Sequence, residues 1–436
     1  MQAYAEFRPL PGEKRGSLLG DHWRPAVLGC WTAVWFAILA RNGGIAWKFF
    51  VQGSLLLFTG HDGGSTKPGG LHLYASYPQL QIGPLALGAA QLLRHLGPDG
   101  GIAIAELAMT AAGLVMLHAI ERIALTVRPE LALEPRTLQR TMLGGGAVFM
   151  IAWAELAVQF GHLDDVIALL CAVLAVWAGV VRRPVLTGLC VGLAVDAKPW
   201  ALIFLPLLLL LLANGGGGQP GWPGRRVTAG TAVPDAIGLA ATGSQMRAAA
   251  PVTTMAPAAR PGQSGLVLAC LTAAAAIAAA WLPFYLADPG TLAAAHFTIA
   301  NLPDSALRAL GVHAARTPAW DRPAEVVAGC AVGTLAIWRR RWAAAVLLAV
   351  GARLALDPGA HAYYTAGVMA GALLWDCVGA RRPWPLWSLL SIGALTVVPL
   401  LSGEPALQGR FRLALVIAVT LTILLMPARW CWEPAA

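Results

Sequence analysis

The sequence predicts an all-α polytopic membrane protein with about twelve transmembrane helices. Three observations point there. Hydrophobic residues make up 57% of the chain and charged residues only 12%, where soluble domains carry about a quarter charged. The apolar residues gather in runs of the length a bilayer requires. Positive residues concentrate in alternate connections between those runs, the asymmetry expected of cytoplasmic loops.

A helix crossing the hydrocarbon core needs roughly 20 mostly apolar residues, and shorter ones are tolerated where protein or water surrounds them. The first 24 residues are mixed and polar. The run 25–41 that follows lacks a small-residue cleavage site, so it is expected to remain as an anchor. Further spans are expected at 100–121, 142–160, 166–181, 184–196, 200–213, 264–287, 324–338, 342–356, 363–379, 384–401 and 411–428. The stretch 80–97, "LQIGPLALGAAQLLRHLG", is also apolar, but a crossing there would put Arg122 to Arg140 outside. It is read as an interfacial helix, as is "IAWKFFVQGSLLLFTG" in the outer loop 42–99.

On this path twenty of the 31 Lys and Arg residues face the cytoplasm, with some in every inner connection: Arg182 and Arg183, Arg225 to Arg260, Arg339 to Arg341, Arg381 and Arg382, and both termini. The net charge of +9 therefore belongs to membrane topology, and no nucleic-acid partner is expected. Residues 214–262, rich in Gly, Ala, Pro and Thr, read as a flexible cytoplasmic linker. It separates an N-terminal membrane module (25–213) from a C-terminal one (263–429), with cytoplasmic ends at 1–24 and 430–436. The seven Cys show neither metal-like spacing nor a disulfide framework.

The polar residues then fall on one side. Asp196, Lys198 and Pro199 sit at the outer apex of two short helices. "GHLDD" (Gly161 to Asp165) and "RLALDPGAHAYY" (Arg353 to Tyr364) form outer turns, and a second outer loop spans 288–323. Ionisable groups in or near spans are expensive and usually line a cavity or pathway. Each also has an ordinary reading. Asp164 and Asp165 complement a helix N-terminus, Lys198 snorkels, Arg353 pairs with Asp357 four residues on, and His361, Tyr363 and Tyr364 join an interfacial belt. Their agreement about sidedness favours an outer-leaflet site.

Cations beside an apolar cavity suit a lipid-linked phosphate, and outward carboxylates with a His suit deprotonation of an acceptor hydroxyl. Together they point to glycosyl transfer from a polyprenyl-phosphate sugar with inversion. Lys198 or Arg353 would neutralise the leaving phosphate. No cofactor is implied, and no metal-ligand set is legible around Asp164 and Asp165.

These residues also carry a family resemblance. "WKFFVQGSLLLFTG", "LYASYPQLQIGPLALGAAQLL", "GHLDDVIALLCAVLAV", "GLCVGLAVDAKPWALIFLPLL" and "RLALDPGAHAYYTAGVMAGALLWD" resemble segments of the GT-C membrane glycosyltransferases, in particular the family 87 (DUF2029-like) branch of bacterial mannosyltransferases. The resemblance implies a polyprenyl-phosphate sugar donor, often mannose, and a glycolipid or glycan acceptor outside the membrane. It matches Lys198 to the family lysine, and His162 and Asp165 to its polar helix start. Relatives carry a catalytic Asp where this chain has Ala46. Either Asp62, on a Gly-rich loop beside His61, or the Asp164–Asp165 pair supplies the base, or transferase activity is lost. Tyr77, Gln79, His162, Asp196, Asp357, His361 and Tyr363 are the expected substrate contacts. A transporter or flippase of lipid-linked sugar, or a non-catalytic envelope-assembly scaffold, are the alternatives.

Overall fold

The computed structural model describes residues 18–60, 67–213, 261–359, 364–380, 382 and 384–427. The chain is all-α; among the described residues the β pairing is one isolated bridge between Ala300 and Arg316. α1 (Leu18–Leu39) leads to α2 (Trp47–Thr59), the one-turn α3 (Leu73–Ser76) and α4 (Pro84–Leu93). α5 (Ile102–Val127), α6 (Pro135–Ala154), α7 (Leu163–Val180) and α8 (Pro184–Ala197) follow, and a 3₁₀ run, Pro199–Leu209, continues into α9 (Leu210–Ala213). The second part holds α10 (Pro261–Ala287), the short α11 (Ala306–Ala309), α12 (Asp321–Trp338), α13 (Ala345–Leu356), α14 (Thr365–Val378), α15 (Leu386–Ile392), α16 (Val398–Leu401) and α17 (Pro405–Leu425).

Among the described residues six stretches are long and apolar enough to cross a membrane: Trp23–Asn42, Asp99–Val127, Pro135–Phe160, Leu163–Val180, Gln263–Ala287 and Pro405–Leu425. Pro84–Leu93, Pro184–Ala197, Pro199–Ala213, Trp342–Leu356, Thr365–Val378 and Leu386–Leu401 are shorter apolar helices. α12, expected to cross at 324–338, is in neither group; its 18 residues include Asp321, Arg322 and Glu325. α4, with 10 residues, is about 15 Å long, half the thickness of a hydrocarbon core.

Two expected spans take a different form. Residues 199–209 wind as a 3₁₀ helix, with Pro199 and Pro206 removing amides from the ladder. At the steeper 3₁₀ rise this run and α9 together reach about 28 Å, so few residues cover nearly a full core thickness. The stretch 384–401 is interrupted by a π turn, Gly393–Val397, just before Pro399.

Small residues let helices meet at backbone distance. In α8, Gly188 faces the Ala269 carbonyl so closely that a Cβ would lie 2.2 Å from its oxygen, and one at Gly192 would lie 2.6 Å from the Ala276 Cβ. This is the small-xxx-small device of membrane helix pairs, in which dispersion replaces a hydrophobic driving force. The segment after α2 is pinned to α10: Tyr74 packs on Trp281 and Phe284, and His72 meets Asp288 at 3.2 Å. Hydrogen bonds from His72 and the Gly290 amide hold the Asp288 carboxyl below the usual carboxylate range.

Arginines close one end of several helices. Arg128 donates to the Cys377 and Ala380 carbonyls at the end of α14, and Arg339 and Arg341 donate to the Leu424 and Met426 carbonyls at the end of α17. Unsatisfied C-terminal carbonyls favour cations. Asp376 of α14 does the converse at the start of α15, accepting from the Trp387 and Ser388 amides and the Ser388 hydroxyl. α7 and α12 run toward arginine turns (Arg182–Arg183 and Arg339–Arg341), and α8 and α13 run away from them. Their other ends carry Asp164, Asp165, Lys198, Asp321, Glu325, Arg353 and Asp357.

Gly188→Leu is expected to destabilise the α8–α10 contact by about 1–3 kcal/mol through overpacking and to lower the thermal unfolding midpoint in detergent. Gly88→Ala, where a Cβ meets nothing within 4 Å, is expected to leave the midpoint unchanged or raised.

Candidate functional site

α6 ends in a π turn, Glu155–Phe160, whose Val158, Gln159 and Phe160 carbonyls accept the amides of Gly44, Ile45 and Ala46 at 2.8, 3.2 and 2.8 Å. Gly161 then turns the chain with φ +67°, a left-handed conformation that costs an L side chain energy. His162 precedes α7, and Asp164 and Asp165 occupy its first turn. α8 stops at Ala197 because Pro199 pushes the preceding residue out of the helical region; Lys198 is extended at φ −150°, ψ 117°. That break turns the Lys198 side chain toward α7.

The Lys198 ammonium donates to Asp164 Oδ2 and lies 4.0 Å from Asp165 Oδ2. Trp200 Nε1 donates to Asp165 Oδ1 at 2.8 Å, and the Asp165 amide donates to Asp164 Oδ1 at 2.9 Å. His162 Nδ1 stands 3.5 Å from Asp164 Oδ1 and 3.6 Å from Asp165 Oδ2. Both carboxylates are buried, whereas the His162 and Lys198 side chains are 17% and 15% exposed. One ligand-type atom from each of His162, Asp164 and Asp165 lies within 4.8 Å of the others. The edge of the His162 ring meets Phe50 of α2.

Arg353, buried near the end of α13, extends the cluster. Its guanidinium lies 4.2 Å from the centre of the Trp200 ring and 4.4 Å from that of Tyr364, between two aromatic faces. It pairs with Asp357 at 3.2 Å, and it feels the charges of Asp165 and Glu325. Asp357 Oδ1 also accepts the Gly359 amide at 2.7 Å. Beyond it, Arg322 holds both oxygens of Glu325 at 3.1 and 3.2 Å. Asp321 is wholly buried, and neither of its carboxylate oxygens has a hydrogen-bond partner among the described residues.

The structure thus brings His162, Asp164, Asp165, Lys198, Arg353 and Asp357 into one connected group. Asp196 is not tied into it: its carboxylate is buried within electrostatic range of Cys171 in α7, and Oδ1 has no hydrogen-bond partner among the described residues. Tyr77 is buried and donates to the Lys67 carbonyl at 3.1 Å; Gln79 is exposed on the segment that joins α8 through the Gly83 amide and Ala197 carbonyl. Asp62, His361 and Tyr363 lie outside the described residues, as do His61 and nearly all of the linker 214–262.

Trp200, Asp321, Arg322 and Glu325 are members that sequence reasoning did not single out, and Tyr364 reads there only as an interfacial-belt residue. The spacing of "DRPAE" at the start of an apolar helix was the available signal for the last three. A groove of about 590 Å³ lies beside α2, lined by Trp47, Val51, Leu55 and Ile102 together with the polar Lys48, Gln52 and Asp99; none of the clustered residues lines it. No family model, no curated protein and no solved structure matches the chain.

Arg353→Met leaves Asp357 buried without this counter-charge, and breaking a buried pair costs about 3–5 kcal/mol. The thermal midpoint in detergent is expected to fall markedly, and Arg353→Met combined with Asp357→Asn to recover a large part of the loss.

Proposed function

We propose that the protein is an integral-membrane inverting glycosyltransferase that moves a hexosyl group, mannose by preference, from a polyprenyl-phosphate donor to an extracytoplasmic lipid or glycan acceptor. In this reading the chain crosses the membrane twelve times with both termini cytoplasmic. The shorter apolar helices then cross within the shelter of the longer ones. One observation carries the proposal: two cations, Lys198 and Arg353, meet a His and a carboxylate pair at the helix ends opposite the arginine turns. Positive turns mark the cytoplasmic side, so the cluster faces outward.

The acceptor hydroxyl loses its proton to the His162–Asp164–Asp165 group as its oxygen attacks the anomeric carbon. The bond from that carbon to the phosphate oxygen breaks, and polyprenyl phosphate departs with the electron pair. Lys198 has three donors, so it can keep Asp164 and still meet the phosphate. Arg353 supplies a second cation held by its two rings. The groove beside α2 offers Trp47, Val51, Leu55 and Ile102 to the prenyl chain, among polar neighbours, and Trp47 in its lining stacks with Phe50, the ring that meets His162. Ala46 stands where the resembling family carries its base. Its amide donates to the Phe160 carbonyl, beside the start of α7, which supports the base coming from the His162 group.

A second reading, a transporter of lipid-linked sugar, draws on the buried Asp321, Glu325 and Asp357, since intramembrane carboxylates form proton relays. Purified protein incubated with labelled polyprenyl-phosphate mannose and an envelope glycolipid extract separates the two. Labelled glycolipid is the expected product; donor crossing proteoliposomes without product supports transport; neither outcome leaves a scaffold. Lys198→Ala is expected to lower transfer at least 100-fold, of the order lost with one charge-stabilising donor, at unchanged expression, and near-normal turnover would remove its phosphate role. A cysteine introduced beside Trp200 is expected to react with an impermeant maleimide from outside intact cells. Reaction only after the cytoplasm is opened would invert the proposed orientation.

A further inference from the structure

We infer that His162, Asp164 and Asp165 form a divalent transition-metal site with an open coordination position. The division of labour among the carboxylate oxygens carries the inference. Asp164 gives Oδ2 to Lys198, and Asp165 gives Oδ1 to Trp200 Nε1. The other two oxygens, Asp164 Oδ1 and Asp165 Oδ2, are the ones that approach His162 Nδ1. Asp165 Oδ2 is buried and accepts no hydrogen bond among the described residues, although it points at the imidazole and lies within reach of Lys198 only at 4.0 Å.

The separations from the imidazole fit a metal triangle. The separations of 3.5 and 3.6 Å exceed the usual nitrogen–oxygen hydrogen bond. Ligands about 2.1 Å from a tetrahedral metal stand about 3.4 Å apart, close to both separations from the imidazole, and the ligand atoms of all three residues lie within 4.8 Å of one another. Lys198 and Trp200 play the part of outer donors, which orient ligating carboxylates; Asp164 Oδ1 also accepts the Asp165 amide at 2.9 Å, which leaves it a second lone pair for a metal. One imidazole and two carboxylates suit Mn²⁺ or Zn²⁺ better than Mg²⁺ or Ca²⁺, which prefer all-oxygen sets.

Charge balance agrees. Two carboxylates and one ammonium sum to one negative charge, which a divalent ion turns to one positive. Such a site attracts an anion to its open position. On the glycosyl-transfer reading, which the metal site itself does not need, that anion is the donor phosphate.

The probe is Mn²⁺ alone, added to the tag-free, chelator-treated full chain in detergent, with free ion followed by electron paramagnetic resonance. One saturable Mn²⁺ per chain is expected. His162→Ala and Asp165→Asn are expected to weaken it at least 10-fold, and Trp200→Phe, which keeps an aromatic ring but loses the donor, by about 10-fold. Pulsed spectra of the wild-type chain loaded with Mn²⁺ are expected to show imidazole-nitrogen modulation, a readout independent of how the variants fold. Absence of saturable binding, a bound ion without that modulation, or variants that bind as the wild type does each overturn the site. Metal binding without sugar transfer would count against the transferase alone, and transfer without metal binding against the metal site alone.

Discussion

Asp164 and Asp165 enter an apolar bundle at the first turn of α7, where both are buried, and their charge must be answered from within the protein. Removing an ionised carboxylate from water costs several kcal/mol even after relaxation. The N-terminus of α7 offsets part of that through its free amides and dipole. Lys198 and Trp200 offset more of it, from a segment 34 and 35 residues further along the chain, and His162 stands beside both carboxylates. For Lys198 to reach Asp164, α8 has to stop at Ala197. Pro199 enforces the stop, and the 3₁₀ run after it carries the chain onward with few residues.

That constraint organises the neighbouring elements. Trp200, fixed by Asp165, offers its ring to Arg353, and Arg353 ties α13 to Asp357 and to the field of Glu325 on α12. The junction between the two halves of the chain thus has a polar bolt at one end. Close contacts at glycines fasten the same halves: Gly188 on the Ala269 backbone, and Gly329 on the Ile203 side chain. Polar pairing sets the position of the helices there, while small residues set their separation. Neither would serve alone in a lipid environment, where burial of apolar surface gives helices little reason to associate.

The same arrangement links structure to chemistry. Lys198 is an internal counter-ion, so any anion it binds must share it with Asp164. His162 and Lys198 form the partly exposed edge of a buried acidic pair. Arg353 is immobilised on two aromatic faces, ready to meet charge without reorganising, the property that makes electrostatic stabilisation effective.

The helical class, the breaks and the site segments were legible in the sequence. "DAKPW" announced the end of α8, "GHLDD" the start of α7 and "RLALDP" the end of α13, because proline, glycine and paired carboxylates act on the backbone within one turn. Expectation and structure diverged where neighbours decide the winding, as in the 3₁₀ form of 199–209 and the π turn at Gly393–Val397. Asp196, two residues from Lys198, read as an equal partner from its position, yet the pitch of α8 buries it away from the group that Lys198 joins. Asp321 and Glu325 were missed because "DRPAE" reads as part of an outer loop and the start of a span, and only helix packing brings α12 beside α13. By itself the sequence determined which segments are apolar, where they stop and which turns are positive, since these depend on each residue and its near neighbours. Only the tertiary structure decided which ionisable groups meet, because helix rotation and interhelical distance set a contact between side chains far apart in sequence, and no local spacing encodes them.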